Sequence, residues 1–302
     1  MTDFKLDAFW QFSRPHTIIG TTLSVLAIYA IALAHHQTVP TPESLGGLLL
    51  TLLACLCGNV YIVGLNQLED IEIDRINKPH LPLASGEFSR QDGVAIVQLT
   101  GVLALLGAAW GGVWLLATVG ISLAIGTAYS LPPVRLKRFP FWAAFCIFTV
   151  RGVVVNLGLF LHFNGQLGGV LGIPLTVWVL TGFIVLFTVA IALFKDVPDL
   201  EGDKQYNIQT FTLILGKAAI LKLSLLVITL CYLGMILIAV ARIAPVNAEF
   251  LLSSHVILLI LLWWRSQKIQ LSQKRAIAQF YQFIWKLFFL EYLLFPLACL
   301  LA

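Results

Sequence analysis

Residues 44–74 read SLGGLLLTLLACLCGNVYIVGLNQLEDIEID. Ser44 to Leu65 carries no charge, and a helix of that length crosses ~30 Å of hydrocarbon. Asn66, Asp70 and Asp74 follow at four-residue steps, with Glu69 and Glu72 between them. On a continuing helix that spacing keeps the three on one face, drifting by ~40° per step. Pro79 and Pro82 are then expected to end the helix and open a loop through Ser85, Gly86 and Glu87. A membrane helix that delivers carboxylates to one surface decides the class of fold.

The rest of the chain repeats the pattern. Of its 302 residues 59% are hydrophobic and only 11% charged, with a mean hydropathy of +0.91. Nine apolar runs are long enough to span a bilayer: 17–34, 44–65, 93–111, 112–131, 141–163, 171–194, 217–241, 248–264 and 279–302. Only Gly-rich sequence separates the third from the fourth. No separate soluble domain fits in what remains, so residues 1–302 are expected to form a single all-α, polytopic membrane domain, nine transmembrane helices bundled around a central cavity.

Loop charge supports the count. On one side lie Lys5, Arg14, Arg75, Lys78, Arg90, Arg135, Lys137, Arg138, Lys195, Lys204, Lys217, Arg265, Lys268, Lys274 and Arg275, against Arg242 alone on the other. A miscounted helix would destroy so clean an alternation. The positive-inside rule then puts the N-terminus and the acidic residues in the cytoplasm. The net charge of +4 is therefore an orientation signal and gives no reason to expect nucleic acid. Met1 to Pro15 shows no cleavable signal and no transit composition, so a bacterial-type protein inserted as made is expected. The five cysteines all lie in spans without a C-x-x-C and read as packing residues. The six histidines show no metal-ligand spacing. Trp263, Trp264, Trp285 and Tyr292 read as interfacial belts.

A second acidic segment follows the sixth run: Asp196, Asp199, Glu201 and Asp203, with Pro198 and Gly202 loosening the helix. The two clusters hold 8 of the chain's 15 acidic residues. They lie four spans apart, hence on the same side, which hints at a repeat of spans 1–4 in spans 5–8. Carboxylates so dense repel one another unless cations sit between them. Mg2+ held by two Asp-rich segments beside a membrane points to a lipid diphosphate, whose charge the metal neutralises as the C–O bond breaks. Lys78, Arg135, Lys137, Arg138 and Lys195 belong to loops within reach of both clusters. Arg151 lies inside the fifth run, five residues before Asn156, and needs an anionic partner there, either substrate, a cluster aspartate or a purely structural pair.

Asn66, Asp70 and Asp74, paired with Asp196, Asp199 and Asp203, make the chain similar to the UbiA superfamily of intramembrane prenyltransferases. The likeness covers nearly the whole length, including the basic turn Tyr129 to Arg138. The strings Asn77 to Glu87, Phe194 to Asp203 and Ile208 to Phe211 resemble its homogentisate prenyltransferase branch. That resemblance implies Mg-assisted ionisation of phytyl diphosphate and attack by the ring of homogentisate with decarboxylation, giving 2-methyl-6-phytyl-benzoquinol for tocopherol synthesis. It implies one Mg2+ on Asp70 and Asp74 with Asn66 completing the motif, and a second on Asp199 and Asp203. Lys78, Arg135 and Lys137 would meet diphosphate oxygens or the homogentisate carboxylate, with Arg138 beside them. Tyr129 would hydrogen-bond the leaving group, Lys195 would count among the catalytic residues, and Asp196 would orient or deprotonate the phenol. Without a plastid segment the chain looks like a cyanobacterial member of plasma or thylakoid membrane, with lipids as its surroundings and no obligate protein partner. Solanesyl or geranylgeranyl donors, and 4-hydroxybenzoate, naphthoate or chlorophyllide acceptors, share the aspartates. A cation transporter also places carboxylates in helices, but near the bilayer midplane, whereas these lie at helix ends followed by basic loops.

Overall fold

A computed structural model describes residues 6–195, 197 and 210–302. In chain order its helices are α1 (Leu6–Phe12), α2 (Pro15–His36), α3 (Pro42–Glu69), α4 (Ile71–Asn77), α5 (Pro82–Ser85), α6 (Arg90–Gly111) and α7 (Val113–Ser130). A 3₁₀ turn (Leu136–Arg138) leads to α8 (Pro140–Phe148), which a π-helical turn (Thr149–Val154) joins to α9 (Val155–Gln166). Then come α10 (Leu175–Phe194), α11 (Phe211–Leu215), α12 (Lys217–Val240), α13 (Ala248–Ser266) and α14 (Lys274–Leu300). Among the described residues nine helical spans are long and apolar enough to cross a membrane, the fifth being α8 to α9 as one unit, Pro140–Gln166. This is an integral, multi-pass membrane protein.

Local signals set the ends. Thr41 and Ser44 form a reciprocal cap on α3, with Thr41 Oγ1 accepting from Ser44 N at 3.2 Å and Pro42 in the first turn. Ser89 and Asp92 do the same for α6. Gly112, at φ 109°, makes the sharp break between α6 and α7 that an L side chain would resist.

Successive spans pack side by side, and α14 packs back on α2 to close a ring. Helices α2 and α10 also cross the middle, against α9 and α14 respectively. The outer faces of the ring carry large exposed apolar side chains such as Leu99, Leu106 and Leu237, which is the surface lipid requires. Polar links tie helices internally: Thr51 to His162, 2.9 Å, and Tyr61 to Thr127, 2.9 Å. His35 and His36 finish α2, and His36 bonds Asn164 at 2.9 Å.

One buried pair has no part in the cavity described below. His255 Nε2 lies 3.0 Å from Glu291 Oε2, both side chains wholly inaccessible, and His255 Nδ1 donates to the Leu251 carbonyl at 2.8 Å. The pair joins α13 to α14 through this one contact, Glu291 Oε1 having no hydrogen-bond partner among the described residues. Removing the carboxyl alone strands a buried ring nitrogen. Glu291→Ala is therefore expected to lose about 3 kcal/mol of stability when unfolding of the purified protein is followed in detergent. Glu291→Gln, which restores a hydrogen bond, should recover most of it.

Candidate active site

Helix α3 does not run through the acidic motif. It stops at Glu69, Asp70 turns at φ −117° and ψ 17°, and α4 restarts at Ile71. The expectation of one continuous helix was wrong for a physical reason. Arg135 Nη2 reaches the Glu69 carbonyl at 3.1 Å, an acceptor that an unbroken helix would give to Ile73, and bonds Asp70 Oδ1 at 3.0 Å. A side chain inserted into the helical ladder is a recognised cause of kinks. Pro82 also begins the short helix α5 rather than a loop.

The break gathers charge. Asp70 accepts from Arg135, from Lys137 Nζ at 2.6 Å and from Asn66 Nδ2 at 3.2 Å. Buried Asp74 faces Arg14 Nη2 at 3.7 Å and Lys78 Nζ at 3.9 Å. Each motif carboxylate is thus shared by two cations. Burial holds the Lys137 ammonium below the usual lysine range, although Asp70 works against that shift. Arg14 and Arg135 both sit in the left-handed region, at φ 52° and 37°. Such strain in non-glycine residues persists where the surroundings over-determine it, commonly at functional sites.

Beneath this charged mouth lies a cavity of about 310 Å³. Arg14, Asn66, Tyr129 and Lys195 line its polar parts, and Ile62, Leu123, Ile125, Ile147 and Val150 an apolar wall. Tyr281, Trp285 and Tyr292 of α14 face them. Trp285 and Tyr292 are 4% and 2% exposed, so the sequence reading of them as interfacial belts is corrected: they are interior. Trp263 and Trp264 are exposed, as a belt requires.

Arg151 also lines the cavity. It sits in the π-helical turn, a distortion common at functional sites. Its guanidinium carbon lies 4.8 Å from the Trp285 ring centre and 5.6 Å from that of Phe288. Neither Asp70 nor Asp74 pairs with it, and the aspartates of the second cluster lie outside the described residues. Among the described residues it forms no hydrogen bond or ion pair, and Asn156 instead accepts from Tyr292 Oη at 3.1 Å. Gly152 lets this turn approach α10, since a Cβ there would stand 3.1 Å from Val185 Cα.

The structure therefore brings together Asn66, Asp70, Asp74, Lys78, Arg135 and Lys137, with Tyr129, Lys195 and Arg151 around the cavity below. Arg138 is exposed at the end of its turn and does not line the cavity. Asp196, Asp199 and Asp203 lie outside the described residues. Sequence reasoning missed Arg14, counted only as a loop charge, although its place directly before Pro15 at a helix start was a usable signal.

The donor set suits a hard cation. Two carboxylates and the Asn66 amide oxygen form a partial oxygen set, and Mg2+ ordinarily keeps water and substrate oxygens in its remaining positions. Among the described residues no three His, Cys, Asp or Glu side chains gather as a metal site, so these residues alone do not enclose an ion.

Comparison with known proteins finds relatives along nearly the whole chain. The chain is 60% identical to homogentisate phytyltransferase of Synechocystis sp. over 97% of its length and 96% of the relative's. It is 42% identical to homogentisate phytyltransferase 1 of Arabidopsis thaliana, over 97% of this chain and 75% of that one. Among solved structures, a UbiA homolog from Archaeoglobus fulgidus bound to GPP and Mg2+ superposes with a TM-score of 0.65 at 17% identity, covering 98% of this chain and 100% of that one. The model of the UbiA prenyltransferase family matches residues 23–287. With that match over most of its length, and nine spans among the described residues in a closed ring, the chain belongs to the UbiA prenyltransferase family.

Proposed function

We propose that the protein transfers a phytyl group from phytyl diphosphate to homogentisate with loss of CO2, giving 2-methyl-6-phytyl-benzoquinol and diphosphate. The observation that carries this reading is the mouth itself: two carboxylates, each held by two cations, over an aromatic and apolar cavity. Identity of 60% to a homogentisate phytyltransferase along nearly the whole chain supports the choice of substrates.

Asp70, Asp74 and Asn66 would hold one Mg2+, and Asp199 and Asp203 a second. When bound, the metal supplies Lewis-acid neutralisation of the departing diphosphate. Arg14, Lys78, Arg135 and Lys137 would exchange their carboxylate partners for diphosphate oxygens, which planar guanidinium groups match well. Tyr129 and Lys195 would donate to the leaving group. The apolar wall of Leu123, Ile125 and Ile147 suits the phytyl chain. Arg151 would take the carboxylate of homogentisate, with the ring beside Trp285 and Tyr281, and Asp196 would receive or position the phenol proton. Substitution releases a ring proton, and the exocyclic carbon takes one up as CO2 leaves, so protons balance. The mouth would face the cytoplasm, as the loop cations require.

The test is an endpoint assay on purified protein in detergent with homogentisate, Mg2+ and a panel of prenyl diphosphates. Mass spectrometry should find a decarboxylated phytyl-methylbenzoquinol, strongest with the phytyl donor and lost on adding a chelator. Prenylation of a different acceptor, with none of homogentisate, would refute the assignment.

A further inference from the structure

Helix α14 has two polar identities. Its inner face lines the catalytic cavity, while its outer face carries Arg275, Gln279, Gln282 and Lys286. These follow at steps of four, three and four residues, which aligns them in one stripe. All four are exposed, and with Trp264 and Arg265 of α13 they line an open groove of about 580 Å³. Among the described residues Arg265, Arg275 and Lys286 make no hydrogen bond or ion pair.

Membrane-surface anchoring accounts for Arg265 and Arg275 but not for the rest of the stripe. The span has 27 residues, so it is about 40 Å long and overhangs ~30 Å of hydrocarbon by about 5 Å at each end. Lys286 stands twelve residues from the helix start, which in an upright span centred on the bilayer is about 13 Å inside the hydrocarbon. A lysine stem of roughly 6 Å does not bring the ammonium out to water by itself. Two glutamines on the same line add unsatisfied amides in lipid. Such a stripe needs an occupant that brings acceptor oxygens down into the groove.

We propose that this groove binds the headgroup of an anionic membrane phospholipid, phosphate against Arg265 and Arg275, glycerol and ester carbonyl oxygens against the glutamines and Lys286 below them, acyl chains over the apolar flanks. Charge complementarity selects this occupant. Among the described residues the groove holds three cations and no acid, and the chain has no Asp or Glu between Glu249 and Glu291. A second copy docking through the same face would set like charges together, contrary to what a self-complementary interface needs. Basic pockets between spans at the cytoplasmic side are suited to anionic headgroups. Trp264 is fixed at the rim by Lys268, whose Nζ lies 4.0 Å from its ring centre.

Native mass spectrometry of the full chain, from micelles with equal phosphatidylglycerol and phosphatidylcholine, tests this. One phosphatidylglycerol should be retained with about tenfold preference, and the double variant Arg275→Gln, Lys286→Gln should lose the preference, whereas Arg242→Gln on the opposite side should keep it. If the double variant does not fold, thermal melting of the unaltered protein decides: saturable stabilisation by phosphatidylglycerol and none by phosphatidylcholine or inorganic phosphate is expected. Equal retention of both lipids, a preference that survives the double variant, stabilisation by free phosphate alone, or a dimer or acidic protein cross-linked through Lys286 would each overturn the proposal.

Discussion

Asp70→Asn is expected to reduce turnover about 10³-fold, roughly 4 kcal/mol of transition-state stabilisation, while the protein still inserts and purifies. The substitution keeps size and shape but removes the charge that Arg135 and Lys137 share at 3.0 and 2.6 Å. It also takes an oxygen donor from the proposed metal set at the point where α3 breaks and α4 begins. Those two cations sit against the broken helix end and the cavity mouth, and the remaining carboxylate, Asp74, already faces Arg14 and Lys78. The loss should therefore persist at saturating concentrations of both substrates, and excess Mg2+ should recover only part of it. The rate is read in the product assay, and insertion from the yield and melting of the purified variant. A variant working within a few-fold of the normal rate would remove Asp70 from the chemistry.

Arg151→Met should raise the KM for homogentisate about 100-fold and leave that for phytyl diphosphate nearly unchanged. A charge-assisted pair between guanidinium and carboxylate contributes up to about 3 kcal/mol, and 2.7 kcal/mol corresponds to a hundredfold. Methionine preserves the contacts with Trp285 and Phe288, so packing is largely retained. Arg151→Lys should recover part of the affinity but not the planar, two-pronged fit. Were the donor KM to rise instead, Arg151 would belong to the diphosphate, and the acceptor carboxylate would have to be held among Arg14, Lys78, Arg135 and Lys137.

The nine spans and the acidic motif were legible because hydropathy and four-residue spacing are local properties, and the structure keeps every span to within a few residues. What escaped was tertiary. Hydropathy cannot tell an aromatic side chain facing lipid from one facing a cavity, so Trp285 and Tyr292 read as belts although α14 turns them inward. The break at Asp70 depends on Arg135, more than sixty residues along the chain, whose guanidinium enters the ladder from another loop. Arg14 is hidden for the same reason: its meaning comes from Asp74, which only the folding of α3 beside α2 brings near. Arg151 was conspicuous as a charge in an apolar run, yet its aromatic surround is built by the last helix and could not be read from its own neighbours.

That last helix also sets a schedule for the nascent chain. The ring closes only when α14 reaches α2, and α14 supplies Tyr281, Trp285 and Tyr292 to the cavity wall. While synthesis is under way, Arg151 has no aromatic bed and the mouth opens over an unfinished chamber. A ribosome-bound intermediate can therefore display every residue of the first acidic motif and still lack a chamber in which a reactive carbocation is shielded from water and lipid. Completion of the chamber therefore waits on the docking of α14 rather than accumulating helix by helix.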